Sequence, residues 1–250
     1  FVLDTSQPFF RQNKQNSLVN LARVCHSHTR SEKRRSERNI HRQKPQTDSL
    51  RYKTPGDNTM ELLIAGLLLF IGGHSVKLAA PAWRTQMIAR IGLLPWKGIY
   101  SLIAASGIVL MVIGYGQARI DPLWLWQPPL WLRHVTILLT LPAFILLFAS
   151  QIPGNILQAK IGHPMYAGIK VWSFSHLLAN GGVHDILLFG SLMIWGILGF
   201  LISRRRDKAS GVKKPYKGLS RDLITLSVAL GVWAAVAFWL HALLIGVKPF

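Results

Sequence analysis

Two histidines in this 250-residue chain, His74 and His176, stand where a titratable side chain is costly. His74 lies in "IGGHSVKLAAPAWR", residues 71–84, and the run leading into it, Leu62 to Gly73, contains no charge. A polar group inside such a run is a functional-site hypothesis by default, because hydrocarbon does not solvate it. His74 comes about four residues before the inner end of its apolar run, and His176 about six residues after Lys170, at the inner start of another. At roughly 1.5 Å per residue, that spacing predicts similar depth for the two rings. Imidazoles on different helices in a charge-free setting can hold an iron porphyrin by axial ligation. Neutral imidazole is also the commonest protein ligand for metals in general. Interhelical hydrogen bonding by each histidine stays open on the residues alone. Gly72 and Gly73 remove side-chain bulk beside His74, where a flat ring could approach the backbone.

The remaining polar inventory excludes much. His163, in "IGHPMYAG", falls on the loop just ahead of the run that carries His176. His134, His184 and His241 fall near the opposite ends of their runs, close to water, where a histidine needs no special partner. After position 60 the acids are Glu61, Asp121, Asp185, Asp207 and Asp222, each at the end of an apolar run or in a loop. No carboxylate is expected mid-membrane, so the usual proton or sodium relay of a pump is missing. There are no paired acids, nucleophile elbow, Gly-rich phosphate loop or cysteine cluster. The only cysteine, Cys25, precedes the apolar part of the chain.

What must position these histidines is a set of membrane helices. Half of the residues are hydrophobic, 16% are charged, and the charge is segregated from the apolarity. A bilayer core of about 30 Å needs roughly 20 mostly apolar helical residues. Six stretches qualify: about Glu61–Leu78, Lys97–Gln117, Arg133–Ile152, Met165–Ala179, His184–Ser203 and Asp222–Val247. The fourth is short and polar. The expected fold is therefore an all-α integral membrane bundle of about six helices.

The link after the fifth stretch, "SRRRDKASGVKKPYKGLSRD", is strongly basic, and the first and third links are also basic. By the positive-inside rule these three links face the cytoplasm. Trp83, Trp96 and Trp172 then fall near the inner boundary and Trp124, Trp126, Trp131 and Trp239 near the outer one, as an aromatic belt. The formal charge of +19 is accounted for by these links and by residues 1–59, so it does not point to nucleic acid. Residues 1–59 read as a disordered basic tail, polar and without apolar periodicity. Every methionine lies at or after Met60, which opens "MELLIAGLLLF". The tail is expected to be upstream or non-native sequence, and 60–250 the membrane domain.

From Met60 to about Ser203 the chain resembles the NnrU family of bacterial membrane proteins. The resemblance is carried by "GLLLFIGGHSVKLAAPAWR", "WKGIYSLIAASGIVLMVIGYGQAR", "WLRH", "LPAFILLFASQIPGN" and "HPMYAGIKVWSFSHLLANG". It implies a multi-pass protein of the bacterial inner (cytoplasmic) membrane, associated with denitrification. NnrU proteins are similar in turn to the 15-cis-zeta-carotene isomerases, which hold a haem b through two histidines. Their His-Ser pattern falls on His74 and Ser75, and their His-Pro, aromatic and His pattern on His163, Pro164, Trp172 and His176, with Ser175 in place of an alanine.

The resemblance thus implies haem b with His74 and His176 as metal ligands. His163 would be a third cofactor-binding residue, as a substitute ligand or a propionate contact. The expected role is that of a redox or gas-responsive accessory in nitric oxide metabolism, with the lipid bilayer as partner and nitric oxide or an apolar small molecule as ligand. Two alternatives are a haem-dependent cis–trans isomerase of a carotenoid-like polyene and a cofactor-free small transporter or assembly factor.

Overall fold

The computed structural model describes residues 59–249, and the tail expected over 1–59 lies outside them except for Thr59, which opens the first helix. Helices dominate. They are α1 (Thr59–Ala79), α2 (Pro81–Ile91), α3 (Leu93–Ala118), α4 (Leu132–Ala149), α5 (Ile156–Ile161), α6 (Pro164–Ala179), α7 (Val183–Ser210) and α8 (Leu219–Ile245). No strand occurs among the described residues, apart from one isolated bridge between Trp124 and Gly182. Five helices, α1, α3, α4, α7 and α8, are long and apolar enough to cross a membrane. This is a multi-pass membrane protein.

The sixth expected crossing is α6, only 16 residues long, or about 24 Å. Pro164 starts it, since a proline at the first helical position lacks only an N–H that would be unpaired anyway. Asn180 in extended conformation and the glycines after it end it. It still runs the full alternation. Gly168 lies against Ala143 and Leu147 of α4, and Thr136 of α4 donates to the Ser175 carbonyl at 2.8 Å, so α4 and α6 are antiparallel.

The other neighbours follow in the same way. Gly66 of α1 abuts Gly107 and Met111 of α3. Ser75 of α1 accepts from Trp195 of α7 at 3.1 Å, and Arg206 of α7 donates to the Lys77 and Leu78 carbonyls of α1 at 3.2 and 2.6 Å. Those contacts make α1 and α7 parallel. Trp233 of α8 donates to Thr140 of α4 at 3.1 Å. The helices thus form a row α3–α1–α7–α6–α4–α8, and Arg119 at the end of α3 donates to the Ile245 carbonyl of α8 at 3.0 Å, joining its two ends. Alternation places the basic links 80–92, 150–163 and 211–218 together on one side, called the inner side below.

The α1–α3 contact is the closest because glycines face backbone. A Cβ on Gly114 would lie 2.4 Å from the Leu63 nitrogen, and one on Gly107 would lie 2.9 Å from the Phe70 nitrogen. Small residues that let backbones approach are the usual device where lipid supplies no hydrophobic drive between helices. Within α7, residues Ile186–Gly190 form a π-helical turn, and α8 has a second at Val236–Leu240. The short helix α2 buries none of its residues and joins α1 to α3 along the inner side.

Candidate functional site

His74 is five residues from the inner end of α1. Its Nδ1 lies 2.7 Å from the Phe70 carbonyl, one turn back on the same helix. A carbonyl only accepts, so Nδ1 must carry the proton and Nε2 keeps its lone pair. His176 on α6 repeats the device, with Nδ1 2.8 Å from the Trp172 carbonyl, and Ser175 donates to that same oxygen at 2.7 Å. Neither Nε2 takes a hydrogen bond among the described residues. Two rings are thus held in one tautomer with the same nitrogen free. This is how a protein fixes imidazole for metal ligation, the second nitrogen being oriented by a hydrogen bond to backbone.

His74 opens onto a cavity of about 290 Å³ on the inner side of the bundle. Its wall comes from Gly73, Val76 and Lys77 of α1 and from Trp96, Lys97 and Tyr100 of α3. Arg84 of α2, Met165 and Tyr166 of α6, and Trp195 of α7 complete it. The His74 ring is edge-on to Tyr100 at 5.2 Å and to Trp195 at 6.0 Å. No acid lines the cavity.

His176 is not part of that wall. Its ring packs on Phe189 at 4.7 Å and Trp172 at 4.4 Å. His74 is level with Trp195, and His176 with Phe189, six residues earlier on the same helix, a step of about 9 Å. The similar depth expected from spacing is therefore corrected. Lys170 does not mark the membrane boundary, because α6 starts six residues before it and its ammonium lies over the Phe200 ring at 4.1 Å. The glycine expectation also divides. Gly73 lines the cavity, whereas Gly72 lies outside its wall with open space beside it.

His163 sits just before α6, with Nε2 2.9 Å from the Asp207 carboxylate of α7. The contact is short without being a well-aligned N–H···O bond, and it favours the protonated ring. Burial, then the Lys214 ammonium, push the His163 pKa below its ordinary 6.5, against the opposing pull of Asp207. Lys214 itself donates to the Gly162 carbonyl. His163 is thus engaged in tying α6 to α7 and the loop after it.

The outer side holds a group that spacing did not reveal. His184 and Asp185 are 3% and 2% exposed, not close to water as expected. Asp185 accepts from the Tyr115 hydroxyl at 2.6 Å and the Gly182 N–H at 2.9 Å, and His184 Nε2 lies 3.4 Å away. A signal was available: an acid at the start of an apolar helix whose only loop is "NGG" has little water to face. His241 is half-buried, with Nδ1 2.7 Å from the Val247 carbonyl, and lies within electrostatic reach of His176.

Among the described residues no group of three or more His, Cys, Asp or Glu side chains could hold a metal ion. The Nε2 atoms of His74 and His176 are each free to donate to a metal, but only His74 faces the cavity and the two rings lie at different levels of α7. A free imidazole Nε2 is the kind of donor that a haem iron takes. The class is a helical, multi-pass membrane protein with an imidazole-bearing cavity on its basic side.

Within that class the chain belongs to the NnrU family, whose family model, described as NnrU protein, matches residues 62–249. Comparison with curated proteins and with solved structures found no match.

Proposed function

We propose that this NnrU-family protein holds a haem b in the bacterial inner membrane, with His74 and His176 as axial donors, and acts as a redox or gas-responsive accessory of nitric oxide and denitrification metabolism. One observation carries the reading: both imidazoles are locked by their own helix through Nδ1, leaving Nε2 as a lone-pair donor. Bound iron would supply one-electron chemistry and an affinity for diatomic gases. The chain's own part is to orient the rings, exclude water and set the polarity around them. Tyr100 and Trp195 fix the His74 ring from two sides, while Trp172 and Phe189 fix His176. His163, held by Asp207, acts by positioning α6 rather than as a donor.

The test is optical. Full-length protein from haem-replete cells should carry a low-spin haem with sharp bands on reduction. His74→Ala and His176→Ala should each give a high-spin or haem-free protein, whereas His134→Ala, at an exposed position, should leave the spectrum unchanged. Unchanged low-spin bands in the His74→Ala, His176→Ala double variant would refute the assignment.

A further inference from the structure

The cavity beside His74 has a second chemistry, set by three cations. Lys77, Arg84 and Lys97 reach it from three different helices, and no carboxylate lines it. Among the described residues none of the three is in an ion pair. Basic residues on the inner side need no explanation while they spread into water. Lys77 and Lys97 are exposed and Arg84 is half-buried, and three cations lining one cavity without an acid favour an anion there. Arg206 stands close by but is committed elsewhere, donating to the Lys77 and Leu78 carbonyls at the end of α1.

The rest of the wall is amphipathic. Trp96 and Tyr100 offer aromatic faces, and Trp83 of α2 braces Trp96 edge-on at 5.7 Å. A volume of about 290 Å³ is at the lower limit for small-molecule sites. It suits an acid group and the start of its apolar stem.

We propose that Lys77, Arg84 and Lys97 form a binding site for the acid head of a membrane amphiphile, the head held by the cations and the stem by the aromatic wall. Two sources share this chemistry, the phosphodiester of an anionic phospholipid and the carboxylates of a haem. The cations recognise the acid group whether or not His74 binds iron. Basic pockets between helices on the inner side are the usual setting for anionic headgroups, and Arg84 can hold a phosphate or carboxylate with two parallel N–H bonds.

The experiment uses delipidated full-length protein in neutral detergent, titrated with phosphatidylglycerol or phosphatidylcholine and read by native mass spectrometry and melting temperature. A parallel titration compares haem with its dimethyl ester. For the phospholipid source, wild type should prefer phosphatidylglycerol. The Lys77→Gln, Arg84→Gln, Lys97→Gln variant should lose that preference by on the order of 100-fold. A control with Arg90→Gln, Lys160→Gln and Lys208→Gln, all outside the cavity, should keep it. For the haem source, the preference is for haem over its ester, and the same triple variant erases it. If the triple variant fails to fold, Arg84→Gln alone should weaken the preference about fivefold and Lys77→Arg should retain it. No preference for either acid-bearing ligand, or equal loss in the control, overturns the site. Lipid preference without any haem band would overturn only the haem reading, and haem bound without acid preference would overturn only this one.

Discussion

Replacing Gly114 with alanine tests the packing that places His74. A Cβ there would lie 2.4 Å from the Leu63 nitrogen and 2.9 Å from the Leu62 carbonyl carbon and Leu63 Cα. All three are backbone atoms, so no rotamer change relieves the clash. Reaching ordinary contact near 3.4 Å requires α1 and α3 to part by about 1 Å, a gap that forfeits a quarter to a half of each dispersion contact it opens. The buried Leu63, Leu67 and Met111 would lose their fit together.

Overpacking of this kind costs about 1–3 kcal/mol, while replacing a helical glycine with alanine returns up to about 1 kcal/mol. A net loss of about 1–2 kcal/mol is expected for Gly114→Ala. Gly116, two residues on, has no neighbouring group within 4 Å, so Gly116→Ala should be neutral or slightly stabilising. Equilibrium unfolding in mixed micelles of mild detergent and dodecyl sulfate would measure both. Equal stabilities for the two variants, or a Gly114→Ala protein as stable as wild type, would refute the claim that α1 and α3 meet backbone to backbone.

Two further outcomes follow from polar contacts. Asp185→Ala strands the Tyr115 hydroxyl and the Gly182 N–H, at about 1–3 kcal/mol for each donor left buried. Tyr115→Phe removes only one partner and should cost clearly less in the same unfolding assay; the reverse order would show that the carboxylate is not the organising group. Burial and Lys214 lower the His163 pKa in the fold, so below pH 6.5 the unfolded chain binds more protons at this position than the native one. The stabilising difference is therefore complete above the unfolded pKa of 6.5 and is lost as pH falls through the lowered folded value. The melting temperature of wild type should accordingly fall relative to that of His163→Gln on acidification, and parallel curves would contradict this.

Much of the architecture was legible because hydropathy is a property of single residues. The charge-free run before His74 is α1, and the basic links do gather on one side. The two glycine-bounded ends of α6 were also readable, although its 16 residues fall short of a normal crossing. What spacing could not supply was depth measured from a real boundary. Lys170 looked like an inner edge, but a long side chain lets its ammonium lie over Phe200 while its backbone sits well inside the helix.

Convergence was equally hidden. The cations at positions 77, 84 and 97 read as ordinary inner-side charge until three helices turned them into one wall. Asp185 was visible as a residue but not as a buried one, because its burial depends on Tyr115, 70 positions away. The histidine pair itself was found by residue type and resemblance. The Nδ1 locks could be inferred only once carbonyls had positions.

The π-helical turn at Ile186–Gly190 has a consequence for how α7 serves two ends of the molecule. Such a turn accommodates one residue more than the α-helical winding around it. Each residue in a helix advances the side-chain direction by about 100°. Asp185 before the turn faces Tyr115, while Trp195 after it faces Ser75, His74 and Tyr166. Excising one residue from 186–190 would restore regular winding and leave the two ends in phase. Excising one from a regular turn between Ser191 and Trp195 would instead swing them about a quarter-turn apart. The outer carboxylate and the inner cavity would then no longer be in phase on the same rod.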